Sequence, residues 1–560
     1  MTGKATRRGF LAAALGSWAS LRCAGVPLAR SEQSAPTDLP PPTRLRFQPV
    51  RGEPSTLAPF EAALRVPGES GLMGVLSLDA PRTLTARAAP AAILPGPPTL
   101  LWSLDTEQDG RVLRNPLLRV RRGARVDVRL DNQLDEETTI HWHGLRVDER
   151  NDGSGLHPVR PRTSNEYAFT VTNPCATYWY HPHPHYRTGY QVHKGMGGML
   201  LVEEETEDEL RRALGLEFGV NEMPLMIQDK QLDGKNQFKY SFGEDDWIGN
   251  RMLVNGTPEP RWTAQRRLTR LRLLNASNAR PYRIAFMAGE RLIPYWLIGT
   301  DGGWLEGPLR VTESYLAPAQ RLDVLIDLGA LDAGTRVRMV SLAFDAMEND
   351  GQPVTELHLE HPGAAPIGQQ LELMAIDLEG PARRRPDLPT RLNHIVRARD
   401  GKPDRVFRLH IDNGRWLING RNHHDDMDRA RFEVRRGSRE IWELQNDTQS
   451  MPHPMHLHAF SFQVLARERS PRHITRIAHA PGGLTAQDLG WLDTVLVWPG
   501  ERVRIALDFA QPFHGPQMYM FHCHNLEHED QGLMLNFRVI DADTPESHLA
   551  TDGSGHPSTH

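Results

Sequence analysis

From Arg82 onward the chain is built of short runs in which apolar and polar residues alternate. Val126-Asp127-Val128-Arg129-Leu130 and Leu268-Thr269-Arg270-Leu271-Arg272-Leu273 are two such runs. A period of two sends alternate side chains to opposite faces of an extended strand, so one face can pack while the other meets water. Gly, Pro and Asn punctuate the runs, and stretches with the period of a long amphipathic helix are scarce. The pattern predicts an all-β chain of Greek-key β-sandwiches.

An internal repeat sets their number. Val120-Arg121-Arg122-Gly123 leads through Val126–Leu130 to Asn132, and His141 follows. Val434-Arg435-Arg436-Gly437 leads through Ile441–Leu444 to Asn446, and His456 follows. The run from Leu268 to Asn275 has the strand and the Asn but no histidines after it. Three related β-domains are expected, at about 82–204, 216–372 and 400–541, with the chemistry in the first and third. The acidic run Glu203–Glu209 closes the first, and a Pro- and Arg-rich link near 381–389 precedes the third. Residues 31–81 read as a linker, proline-rich over 31–43, and an unassigned segment. The tail 542–560 is small, polar and expected to be disordered.

Composition narrows the partners. A net charge of -5 over 560 residues leaves no basic field for nucleic acid. Thr6-Arg7-Arg8-Gly9-Phe10-Leu11 and the mild apolar run to Leu21 form a twin-arginine export pattern within residues 1–30, which implies a periplasmic or secreted protein. That run is too short to span a bilayer, and no later segment is apolar enough to do so. Cys23, Cys175 and Cys523 are too few for a disulfide framework. Cys175 is expected to be a core thiol.

Chemistry concentrates in Phe521–Met534, FHCHNLEHEDQGLM. On a strand His522 and His524 point one way and Cys523 the other, and His528 is close enough to turn back to the cysteine side. His₂Cys ligation is that of a blue-copper electron-transfer site. Among 25 histidines, random placement yields about one His-x-His pair; the chain has 141/143, 181/183, 183/185, 456/458 and 522/524. Four repeat-related pairs supply eight imidazoles, enough for two copper ions with three each and one with two. His453, at odd spacing from His456, is left to join Cys523 and His528. His185 is then spare, a residue behind the ligands or at the surface.

HWHG at 141, HPHPH at 181, HPMHLH at 453 and HCHNLEH at 522 resemble the four signatures of the multicopper oxidases, over roughly residues 82–541. The resemblance implies three cupredoxin domains and four copper ions. Type 1 copper falls to His453, Cys523 and His528. Type 2 falls to His141 and His456, and the type 3 pair to His143, His181, His183, His458, His522 and His524. Substrate electrons enter singly at type 1 and cross the Cys523 backbone to the cluster, where O₂ takes four and becomes water. Asp152 and Glu529 resemble the acids that feed protons to the cluster.

The chain departs from the related bacterial oxidases at Leu533, where an axial Met is common and Met534 follows instead. Leu cannot coordinate, so a three-coordinate type 1 copper of raised potential is expected. That favours oxidation of phenols or aromatic amines, as in laccases, by a monomer. A register slip would bring Met534 to the metal instead. The alternative is a cuprous or metal-ion oxidase, although Gln449 stands where an acid is expected near Met451 and the methionines do not cluster. His423-His424-Asp425-Asp426-Met427 reads as a solvated loop with some capacity for an exposed metal. A copper-free periplasmic scaffold of the same fold is the non-catalytic reading; the filled ligand set argues against it.

Overall fold

The computed structural model describes residues 58–350, 363–541 and 543. The expected export signal, the stretch 31–43 and, Asp543 apart, the tail from 542 lie outside the described residues. Six sheets form three successive β-sandwiches of six and four, seven and six, and five and five strands. Each sandwich closes on its own apolar core. Leu84, Leu104, Val128 and Leu200 are in the first, Leu225, Leu273 and Ile376 in the second, and Leu444, Val464 and Phe537 in the third. These are three cupredoxin-like domains.

Alternation decides burial where a strand has one wet face. Arg125–Asn132 and Arg502–Asp508 bury every second residue. Glu222–Lys230 and Leu268–Asn275 are buried throughout, because neighbouring elements cover both their faces. The alternation of Leu268–Asn275 therefore does not produce a solvated face. Arg270 and Arg272 are buried with Glu207, Glu222 and Asp323 in an ion cluster. Glu207 comes from the helix Glu205–Leu214, into which the acidic run after domain one folds.

Two expected boundaries shift. Gly71–Leu72 and Val75–Ser77, inside the segment left unassigned, are strands of the first sandwich. They are too short to show a period and form by parallel pairing with Arg111–Arg114 and Leu117–Arg121. The second sandwich runs beyond 372, because Leu371–Glu379 fills the place between Arg261–Gln265 and Arg336–Ser341.

The repeat has a mechanical meaning. Asn132, Asn275 and Asn446 each end a strand that pairs in parallel with the first long strand of its domain. Each carboxamide then clamps the loop that follows. Asn132 Nδ2 donates to the carbonyls of Glu136 and Val159, Asn275 Nδ2 to those of Arg280 and Leu316, and Asn446 Nδ2 to those of Met451 and Val497. In the first and third domains the clamped loop leads into histidines. In the second it carries Ser277, Asn278 and Arg280 instead.

Candidate metal centre

The strand Gln517–Cys523 lies between His453–Leu457 and Met534–Ile540. Register opposes Met455 to Cys523 and His456 to His522. Directly opposed residues share a face of the sheet. Cys523 therefore faces the same way as His453, two residues from Met455, while His456 and His522 face the other way. His528 returns to the cysteine side on the short helix Leu526–Asp530, whose cap Asn525 accepts hydrogen bonds from the main chain of Glu527 and His528.

Cys523 Sγ ends 3.4 Å from His453 Nδ1 and 3.6 Å from His528 Nδ1, with 3.2 Å between the nitrogens. A point equidistant from the three lies about 2 Å from each, the range of metal–nitrogen bonds. All three residues are fully buried. Burial pushes the Cys523 thiol well up, so a thiolate persists there only against a cation. His453 Nε2 lies 2.8 Å from Ser450 Oγ, and His528 Nε2 lies 3.2 Å from Asn525 Nδ2 and 3.5 Å from Asp246 Oδ1.

Leu533 is buried in the same apolar cluster as Cys523, and its carbonyl accepts the Cys523 amide at 3.0 Å. Met534 opposes His522 and so faces away from the sulfur. The register with Met534 at the cysteine is not the one adopted. Gly532 makes the turn with φ of 91°, where a Cβ would fall 2.4 Å from Asn422 Oδ1.

On the other face the eight paired histidines meet between the first and third domains, all at most 1% exposed. They form overlapping groups. His458 Nε2 and His183 Nε2 lie 3.0 and 3.3 Å from His522 Nε2. His181 Nε2 lies 3.4 Å from His524 Nε2, and the His143 ring is 5.0 Å from that of His524. His141 and His456, with ring centres 5.8 Å apart, bridge these groups: His141 stacks on His458 at 4.0 Å and His456 on His143 at 3.7 Å. Each of these two has Nδ1 anchored on a main-chain carbonyl, that of Asp152 at 2.7 Å and of Asp493 at 2.8 Å. Among the described residues Nε2 of His141 and His456 and Nδ1 of His143 have no hydrogen-bond partner. Leaving each buried nitrogen unpaired costs about 1–3 kcal/mol. Burial also holds His456 and His458 far below the usual imidazole range, in the neutral form that ligates. Metal ions fit these vacant lone pairs, and soft thiolate with imidazole suits copper.

The carboxylates stand behind the rings. Asp152 Oδ2 is 2.7 Å from His458 Nδ1, and burial pushes its carboxyl up. Gly153 makes this approach possible: φ is 71°, and a Cβ there would overlap the Ile140 carbonyl. Glu529 lies 3.2 Å from His522 Nδ1 and 3.5 Å from His183 Nε2. Burial opposes its charge, yet His183 and His522 hold it well below the ordinary range.

Sequence reasoning did not find Asp493. Its Oδ1 lies 3.1 Å from His143 Nε2, and both carboxylate oxygens take hydrogen bonds from Arg321, at 2.9 and 2.5 Å. With both oxygens taken by the guanidinium, Asp493 orients His143. The second domain thus reaches the site through Arg321. Asp246, Asn525 and Ser450 around the cysteine centre were also missed. A lone Asp before a strand carries no local signal; only the fold brings it to the imidazole. His185 joins none of the groups. His423, expected in a solvated loop, is buried to 3% exposure because it packs between His185 and the main chain of Gly532.

Three β-sandwiches with a buried His₂Cys triad behind a histidine cluster define a class of cupredoxin-based metal protein. The comparisons name its family. Multicopper oxidase patterns match residues 109–207 and 389–543. The multicopper oxidase mco of Staphylococcus haemolyticus is 30% identical over 433 residues, 76% of this chain and 82% of that protein. The crystal structure of McoA multicopper oxidase from Aquifex aeolicus superposes with a TM-score of 0.75 at 34% identity, covering 85% of this chain and 99% of that one. The cell division protein FtsP of Photorhabdus laumondii is also 30% identical, over 78% of this chain and 84% of its own length. The chain belongs to the multicopper oxidase family. Membership implies copper binding and oxidoreductase chemistry.

Proposed function

We propose that the protein is a laccase-like oxidase that takes single electrons from phenols or aromatic amines and delivers four to O₂. Four copper ions are assigned as the family resemblance implies. His453, Cys523 and His528 hold the first and His141 with His456 the second. His183, His458 and His522 hold the third, and His143, His181 and His524 the fourth. One observation carries the reading: His453, Cys523 and His528 form one buried group, and the buried paired histidines fall in overlapping groups, His183 with His458 and His522 among them. Bound copper supplies the one-electron steps and the activation of oxygen. The residues do the rest. Cys523 and its neighbours His522 and His524 connect the two centres through one backbone. Leu533 keeps water and a fourth donor from the cysteine centre, which favours a high potential. Asp246, buried 3.5 Å from His528 Nε2, backs that ring. Asp152 and Glu529, against His458 and His522, are placed to pass protons toward the cluster.

Export by the twin-arginine route belongs to the same reading, since a prefolded metal site suits it. Copper analysis with O₂ uptake on a phenol and on cuprous ion tests it. Four coppers per chain and faster turnover of the phenol are expected. Full loading with turnover of cuprous ion alone favours the metal-ion oxidase. A chain that takes up no copper favours a scaffold role, the direction in which the cell-division relative points.

A further inference from the structure

We propose that a cavity on the first domain binds a neutral phenol and passes its electron across Tyr190 and Tyr240 to the cysteine centre. The cavity is about 450 Å³, within the range of small-molecule sites. Trp102 and Tyr190 form its aromatic wall, edge to face with ring centres 5.3 Å apart. Two guanidiniums and two carboxylates also line it, and each already has a partner. Arg87 holds Asp105 and Arg162 holds Asp135, both at 2.7 Å, while Glu136 accepts from Arg187 and Gln191. The charges in the lining balance, which suits an uncharged ring bearing a hydroxyl or ether oxygen rather than an ion left without a counter-charge.

Burial of the cysteine centre makes a relay necessary. His453, Cys523 and His528 are fully buried, and the buried Asp246 backs His528 Nε2, so the centre offers a substrate no open edge. A row of rings leads to it from the cavity. Tyr190 stands on the helix Thr188–His193, and its ring lies 5.6 Å from that of Tyr240. The Tyr240 hydroxyl donates to Glu527 Oε1 at 3.0 Å, and Glu527 immediately precedes His528. The Tyr240 ring also lies 5.3 Å from that of Trp247, which immediately follows Asp246. The row therefore meets His528 twice, through its main chain and beside its Nε2. Asp530 fixes the spacing: its carboxylate accepts the Thr188 and Gly189 amides, each at 2.9 Å, and so pins the helix of Tyr190 to the helix of His528.

One phenol supplies one electron. Tyr240 gives an electron inward to the oxidised cysteine centre, and its hydroxyl proton shifts along the hydrogen bond to Glu527. The phenol then gives an electron across the Tyr190 ring, and Tyr240 recovers both its electron and its proton. The phenol loses its own proton to water in the open cavity and leaves as a phenoxyl radical. The relay rests on the oxidase reading above; the binding does not.

Two measurements on the copper-loaded protein test this. Calorimetric titration with veratrole, a phenol ether with no hydroxyl to oxidise, reads the binding. Anaerobic stopped-flow reduction of the blue band by guaiacol reads the relay. One veratrole per chain is expected, bound at least tenfold more weakly in Trp102→Leu and in Tyr190→Leu. Tyr240→Phe keeps the ring, so veratrole affinity and the blue spectrum should match wild type while reduction by guaiacol slows at least tenfold. Wild-type veratrole affinity in both cavity variants, or a wild-type reduction rate in Tyr240→Phe, overturns the proposal. A blue band that guaiacol fails to reduce even in wild type refutes the laccase-like reading and the relay with it, while veratrole binding that weakens in Trp102→Leu leaves the cavity site standing.

Discussion

Asp493→Asn separates a carboxylate that orients the cluster from one that merely fills space. The side chain is 1% exposed and joined to the equally buried Arg321 by two hydrogen bonds, at 2.9 and 2.5 Å. Removing one partner of a buried ion pair typically costs about 3–5 kcal/mol, because the other charge is left without compensation. Here Asp301 Oδ1 remains 3.6 Å from Arg321, and Asn keeps one acceptor, so the loss should sit near 3 kcal/mol or somewhat below. The metal effect should be selective. His456 hangs on the Asp493 main-chain carbonyl, which the variant retains, whereas His143 loses its carboxylate. Changes behind a metal-bound histidine weaken binding roughly ten- to hundredfold. Copper should therefore be lost from the cluster while the blue band keeps its wild-type intensity. Denaturant unfolding of the metal-free protein and copper content per chain are the measurements. Full copper retention with unchanged stability would refute the orienting role, and loss of the blue band with an intact cluster would refute the geometry behind it.

Cys523→Ser should abolish the blue colour and oxidase activity yet leave most cluster copper in place, since His522 and His524 face away from the sulfur; copper counting with absorbance checks both halves. Leu533→Met should lower the potential of the blue centre at a stability cost under about 1.5 kcal/mol, whereas Met534→Leu, on the His522 face, should leave the potential alone. Redox titration of the blue band decides between them, and a potential that responds only at Met534 would contradict the register. Asp152→Asn should slow reoxidation by O₂ at least tenfold with near-normal reduction of the blue centre, because its carboxylate touches His458 on the cluster side. Stopped-flow measurement of the two half-reactions separates these, and a slowed reduction step would place Asp152 in the wrong half.

The amino-acid sequence by itself determined which residues could be ligands and on which side of a strand each would lie. Period two is a property of any extended backbone, so the opposition of Cys523 to His522 and His524 needs no tertiary information. The repeat ending in Asn132, Asn275 and Asn446 likewise announced three sandwiches, because the clamp is made within each domain. Tertiary structure decided what depends on long-range neighbours. Which three of the eight imidazoles converge, for example His183 with His458 and His522, depends on how the first domain meets the third. Asp493 and Arg321 lie 172 positions apart and belong to different domains, so no local pattern could couple them to His143. Burial of His423 was hidden for the same reason: its loop reads as polar, and only the packing of His185 and the Gly532 main chain takes it out of water. Spacing along a strand is fixed by covalent geometry, whereas a distance between strands of different domains is a result of packing.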